Sequence, residues 1–335
     1  MLERILIVGY GSIGKRHAKI AKELLPNTKI MVFRHKSCDG MLTKDIDFCV
    51  TNLDDALKFK PQLAIIANPA THHLNVALPL AKSKVHLLIE KPISNTTQGI
   101  TEIIDICKLN KTILMTGYNL RYLKSLQKFR ELIYSKRVGK VLSVRAEIGQ
   151  YLPSWRPNSN YRGNVSARSE LGGGVLLELS HDIDYLCWLF GEVSWVSSVQ
   201  SKQSDLDVDV EDTAHLTIGF SKNDNVKPLI ATLNMDFIRH DTTRNCTVIG
   251  EDGTLKWNAL TGVVKVILKG ESEWTIIYDR KNNRDDSYLA EWEHLLDCIN
   301  GDKNPLVTGQ DGVSVLKVIE AARKSSDTKS IVSIN

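Results

Sequence analysis

The sequence predicts two domains of different class. An α/β domain on a doubly wound parallel sheet comes first, and an α+β domain with a large, mostly antiparallel open sheet follows. Three observations carry this. At 335 residues the chain exceeds the roughly 100–200 residues of an ordinary domain. Residues 1–121 alternate short Ile, Val and Leu runs with helix-like stretches, whereas residues 122–335 hold alternating strands punctuated by Gly, Asn and Asp.

In the first part the runs at 4–8, 29–33, 63–67, 85–89 and 112–116 read as strands. They are apolar on both faces, as strands of a parallel sheet covered by helices must be. The segments 13–25, 53–58, 72–82 and 96–110 read as those helices. In the second part a helix at 123–135 and a glycine turn lead into a strand at 141–151. Further strands fall at 195–200, 213–220, 229–237, 246–249, 263–268 and 274–278. Two helices close the chain, 287–300 and 309–325, with Gly301 as a terminator between them.

Apolar residues make up 42% and charged residues 24%, the balance of a globular protein with material for two cores. The net charge is only +4, and Lys and Arg are scattered among Asp and Glu, so no footprint for nucleic acid is present. A small-molecule partner is expected. The N-terminus lacks the hydrophobic region and cleavage site of a signal peptide, and no apolar run approaches the roughly 18 residues of a membrane span, so a cytoplasmic protein is expected. Six cysteines, Cys38, Cys49, Cys107, Cys187, Cys246 and Cys298, lie far apart without a Cys-x-x-Cys pair. They read as reduced, mostly buried small hydrophobes, with no metal site.

Gly9-Tyr10-Gly11-Ser12-Ile13-Gly14 follows the first strand and opens the first helix. Glycines there permit a tight turn and close approach to a pyrophosphate, which rests on the helix N-terminus. Gly9, Gly11, Ser12, Ile13 and Gly14 are thus expected to bind a dinucleotide in a Rossmann domain. The Asp or Glu that holds the ribose hydroxyls of NAD is expected some 20 residues further on, and here Arg34 stands instead. Arg34 and His35, with Lys36 and Ser37, either hold the 2′-phosphate of NADP or form a solvated basic turn. NADP is therefore preferred over NAD.

With Glu90-Lys91-Pro92 downstream of Asn68-Pro69-Ala70-Thr71-His72-His73, the chain resembles the glucose-fructose oxidoreductase and inositol dehydrogenase family, Gfo/Idh/MocA. The likeness continues through Gly117-Tyr118-Asn119-Leu120-Arg121-Tyr122, the turn at Val138-Gly139, the stretch from Gly172 to Asp184 and Thr308-Gly309-Gln310-Asp311-Gly312. It implies cofactor contacts for Asn68, His72, Glu90, Lys91 and Asn119, and catalysis by Lys91 beside the nicotinamide. Oxidising a secondary alcohol removes a proton from oxygen while hydride leaves the carbon, so a positioned amine or imidazole assists. The resemblance also marks His181 as a general acid/base. Family members place an acidic residue four positions before that His, but here Leu177 stands there and Glu178 is only three before, so Glu178 does not inherit that role.

Asp182 and Asp184 read as orienting or substrate groups, and Arg121 as a substrate or nicotinamide contact. Trp155, Arg156 and Tyr161 form an aromatic and basic loop, which suits either a sugar pocket or a contact between subunits. The resemblance implies hydride transfer at a ring hydroxyl or ketone of a sugar, cyclitol or nucleotide-linked sugar, and a homodimer or homotetramer built through the C-terminal sheet. Two other readings stand beside it. One is a dinucleotide-binding sensor without turnover, for which the altered Glu178 to His181 spacing argues. The other is a lyase or hydrolase that works through transient oxidation on tightly bound cofactor.

Overall fold

A computed structural model describes residues 2–155, 160–221, 228–281, 283 and 285–334. It divides into two compact units, Met1–Asn119 with Ser287–Val313, and Leu120–Asp286 with Ser314–Asn335.

The first unit begins with β1 (Arg4–Val8), α1 (Ser12–Leu24) and β2 (Lys29–Phe33). It continues through β3 (Phe48–Val50), α2 (Leu53–Lys58), β4 (Leu63–Ile66) and α3 (His73–Lys82). Then come β5 (His86–Glu90), α4 (Ile100–Asn110) and β6 (Leu114–Gly117). The strands form one parallel sheet in the order β3-β2-β1-β4-β5-β6. Ile5, Leu6, Ile7, Ile65, Leu88 and Ile89 are fully buried in it, the two-faced burial that their unbroken apolar runs require. On α1 the buried positions Gly14, His17, Ala18 and Ala21 recur at helical spacing. The side chain of Asn52 caps α2, accepting from the Asp55 N–H at 2.8 Å.

In the second unit α5 (Lys124–Tyr134) precedes β7 (Val141–Gly149), and α6 (Val175–Glu178) and α7 (His181–Phe190) follow. A run of strands comes next: β8 (Val193–Ser201), β9 (Thr213–Phe220), β10 (Ile230–Asp236), β11 (Thr243–Gly250), β12 (Gly253–Asn258), β13 (Val263–Leu268) and β14 (Thr275–Asp279). The chain ends with α8 (Asp286–Asn300), α9 (Gly309–Thr328) and β15 (Val332–Ser333). The nine-stranded sheet has the order β14-β13-β12-β11-β7-β10-β9-β8-β15. Every pair is antiparallel except β7 with β10. One face is apolar, with Val144, Ala146, Leu233, Val248 and Trp257 buried beneath α5 and α7. Trp257 stacks on Phe129, meets the edge of Tyr185 and donates its indole N–H to Ser125 Oγ at 3.0 Å.

Three expectations are corrected here. The division at residue 121 is incomplete, because Ser287–Val313 returns to the first unit. Its backbone extends the free edge of β6, where Thr116 N–H donates to Val307 O at 3.2 Å and Met115 bridges to Thr308. The helix expected over 96–110 starts only at Ile100, after Gly99 turns the chain with φ 83°. Cys38 and Cys49 are not reduced: they form a disulfide across a Cα–Cα separation of 5.7 Å. The loop after β2 folds back onto β3 and brings them together. Cys107, Cys246 and Cys298 are buried thiols.

Candidate active site

In the first unit the functional residues follow the carboxyl ends of the strands, the edge at which open parallel sheets bind ligands. After β1, Gly9 has φ 82°, and a Cβ there would lie 2.8 Å from the Asn68 N of the loop after β4. A Cβ on Gly14 would collide with the Gly9 carbonyl oxygen, so only glycine fits this turn. Gly11 is the N-cap of α1 and differs from both: a Cβ there would find no atom within 4 Å. No side chain caps this helix and none in its first turn is acidic. The N–H groups at its start thus lack a side-chain cap and the space beside Gly11 is open, which fits a pyrophosphate. Asn68 adds a buried Oδ1 with no donor, a second feature suited to a dinucleotide.

His73 braces this edge. Its Nε2 lies 2.8 Å from Asn68 O and its Nδ1 3.3 Å from Ile93 O. Burial lowers its pKa, which favours the neutral ring. Arg34 leaves β2 half-buried, with Nη1 2.9 Å from Met41 Sδ. The exposed rings of His35 and His72 meet edge to face at 6.4 Å, and His35 also packs on Phe33. Arg34, His35 and His72 therefore come from two loops at the same sheet edge.

Glu90 ends β5 and is 7% exposed. Its Oε1 lies 2.8 Å from His17 Nε2, and its Oε2 accepts the Lys91 N–H at 3.1 Å. The indole N–H of Trp292 donates to His17 Nδ1 at 2.8 Å. An indole nitrogen only donates, so His17 must accept at Nδ1 and carry its proton on Nε2. Glu90 then receives that proton as an acceptor. A Cβ on Gly117 would lie 3.1 Å from the Glu90 carboxylate, so the end of β6 leaves the room it needs. Sequence reasoning assigned Glu90 to the cofactor and missed His17 and Trp292. Asn119 is buried and its Nδ2 donates to Ser287 Oγ at 3.1 Å.

In the second unit His181 opens α7, half-buried, directly after Ser180. Asp182, Asp184 and Arg121, the charges expected to orient or meet substrate, have partners within this unit. Asp182 is fully buried, with Arg244 Nε 3.2 Å from its Oδ2 but off the line of a good hydrogen bond. Burial pushes the Asp182 pKa up to about 6, against the pull of Arg244. Arg121 is 2% exposed and holds Asp184 bidentately, Nε to Oδ2 at 3.0 Å and Nη2 to Oδ1 at 2.6 Å. Arg121, Asp182 and Asp184 thus brace α7 through buried ion pairs. Glu178 Oε2 accepts from Ser166 Oγ at 2.7 Å. Trp155 donates its indole N–H to Gln150 O and packs edge-on against Phe237. The Tyr161 hydroxyl accepts the Asp207 N–H at 3.2 Å. Arg156 lies outside the described residues.

The chain is similar to myo-inositol 2-dehydrogenase of Thermotoga maritima, at 25% identity over 280 residues, which cover 81% of this chain and 79% of that enzyme. Among solved structures, levoglucosan dehydrogenase in complex with NADH superposes with a TM-score of 0.86 at 17% identity, covering 99% of each chain. The WlbA dehydrogenase of Bordetella pertussis, in complex with NADH and UDP-GlcNAcA, gives 0.82 at 18% identity over 100% of this chain and 99% of that one. At these identities the solved structures show the shared fold. Residues 3–118 match the model of an oxidoreductase family's NAD-binding Rossmann fold, and residues 130–334 match that family's C-terminal alpha/beta domain. This chain belongs to that family, Gfo/Idh/MocA, and is an NAD(P)-dependent oxidoreductase.

Proposed function

We propose that the enzyme oxidises or reduces a ring hydroxyl or ketone of a sugar, cyclitol or nucleotide-linked sugar, with Lys91 handling the proton. One observation carries this reading. The open N-terminus of α1 and Lys91 follow strands of the same parallel sheet at the same edge, with Asn68 between them in strand order. The nicotinamide, when bound, accepts or supplies the hydride. Gly9, Gly11, Ser12, Ile13 and Gly14 hold the pyrophosphate against the start of α1, while Asn68, His72, Glu90 and Asn119 line the path toward the nicotinamide.

Lys91, as the amine, takes the hydroxyl proton in oxidation, and as the ammonium returns it to the carbonyl oxygen in reduction. Hydride and proton together account for both hydrogens lost by the alcohol. His181 is proposed as a second acid/base group, and Trp155, Arg156 and Tyr161 as substrate contacts. The relatives named for inositol and levoglucosan support a polyol or sugar substrate. Arg34, which stands where an acidic residue would select NAD, supports NADP as the preferred cofactor. A homodimer or homotetramer would use the polar face of the nine-stranded sheet, where Arg145, Glu147, Asn234 and Lys256 line one depression.

The test is a panel of aldoses, cyclitols and nucleotide-linked sugars with NADP or NAD, followed by absorbance of the reduced nicotinamide. Lys91→Ala is expected to bind cofactor while losing about 10²–10⁴ of the turnover. Unchanged turnover in that variant removes Lys91 from the mechanism.

A further inference from the structure

The first unit buries a carboxyl that this mechanism does not use. Glu291, on α8, is 0% exposed, and neither of its oxygens has a hydrogen-bond partner among the described residues. The next residue, Trp292, begins an unbroken chain of contacts. Its indole holds His17, His17 holds Glu90 Oε1, and Glu90 Oε2 holds the backbone N–H of Lys91. Glu90 from β5 and Tyr288 from α8 itself are the charged or titratable neighbours of Glu291, and Arg16 and His17 from α1 pack on Tyr288. The guanidinium of Arg16 lies 4.7 Å from the Tyr288 ring centroid, and the Tyr288 ring is edge-on to His17.

The hydrogen-bond pattern fixes the charge states around Glu90. His17 is neutral, because its Nδ1 accepts from the indole. Glu90 accepts at both oxygens, from His17 and from the Lys91 N–H, and so serves as the carboxylate. A second carboxylate beside it, buried and without a donor, would repel it at full strength in so dry a place. We propose that Glu291 is a positioning residue for Lys91: as the uncharged acid it leaves Glu90 in place as the carboxylate that fixes the Lys91 turn. Burial first, and the neighbouring Glu90 charge second, raise the Glu291 pKa well above the usual carboxylate range. Loss of the Glu291 proton would drive the two carboxylates apart, and Glu90 can yield only by letting go of His17 or of the Lys91 N–H.

This inference rests on the reading that Glu90 and Lys91 lie at the nicotinamide, and two measurements separate its failure from the failure of that reading. The first is infrared spectroscopy of the wild-type protein against Glu291→Gln near neutral pH. The wild type is expected to show the carbonyl stretch of a protonated carboxylic acid that the variant lacks, and the absence of such a difference band overturns the inference with no reference to cofactor. The second is the affinity for NADPH and NADH as a function of pH, by nicotinamide fluorescence. Wild-type affinity is expected to fall about tenfold per pH unit once Glu291 ionises, while Glu291→Gln, which has no proton to lose, shows no break at that pH. Superimposable profiles overturn the positioning role while leaving the cofactor site intact. A wild type that binds neither NADPH nor NADH at any pH overturns both.

Discussion

Arg34 stands at the end of β2, where an acidic side chain would bind the ribose hydroxyls of NAD and repel the 2′-phosphate of NADP. Its guanidinium is half-buried against Met41, and such a held cation makes charge-assisted hydrogen bonds with phosphate at little further ordering cost. Arg34→Asp is therefore expected to reverse the preference between NADPH and NADH, lowering NADPH affinity about 10–100-fold, as loss of one hydrogen bond to a charged group would. Fluorescence titration of both nucleotides checks this, and an unchanged ratio returns Arg34 to the solvated turn. Gly9, Gly14 and Arg34 were legible in the sequence because their requirements are local: a tight turn, a close approach, a charge at the end of one strand. His17 was not, since the partners that define it, Glu90 and Trp292, stand 73 and 275 residues away. The partners of Asp182 and Arg121, Arg244 and Asp184, were likewise visible only in the fold.

Strands buried on both faces announced themselves as unbroken apolar runs, and β1 and β2 fall on the residues expected, as do the alternating strands β9 and β13. Shorter or less apolar strands did not. Phe48–Val50 is three residues at a sheet edge, too few for a period to register, and Gly253–Asn258 buries only Leu255 and Trp257 between polar neighbours. At this scale the attachment of α8 to α1 is the feature to test. Its polar contact between fully buried groups is the Trp292 indole on His17. Trp292→Phe keeps the aromatic packing and leaves His17 Nδ1 without its donor, so a loss of about 1–3 kcal/mol in unfolding free energy is expected. Urea denaturation measures it, and an unchanged midpoint contradicts the assigned tautomer.

For the molecule as a whole, two units were legible and their membership was not. The change of strand pattern near residue 120 marks the first passage of the chain, but the return of Ser287–Val313 rests on pairing at the edge of β6, which leaves no periodic trace. Stability should carry the mark of the buried carboxyls. Asp182 and Glu291 keep their protons to higher pH folded than unfolded, so the stability linked to them is complete below the ordinary carboxylate range and is lost as pH rises. For Asp182 the loss runs up to about pH 6, and for Glu291 it continues beyond. Above the ordinary value of 4.5, Glu291→Gln should therefore gain on the wild type by about 1.4 kcal/mol per pH unit, until Glu291 ionises in the fold. Denaturation at about pH 5 and about pH 8 measures this, and parallel curves contradict it. The central claim, that the N-terminus of α1 holds the phosphates of a nicotinamide dinucleotide, is tested most directly at Gly11. Its N-cap conformation, φ −76° and ψ −164°, accepts any residue, and a Cβ there meets nothing. Gly11→Asp supplies a favoured helix cap and sets a carboxylate where the pyrophosphate would rest. Thermal unfolding and titration with NADH and NADPH should find this variant folded, at least as stable as the wild type, and unable to bind either nucleotide. Binding at wild-type affinity would contradict the account.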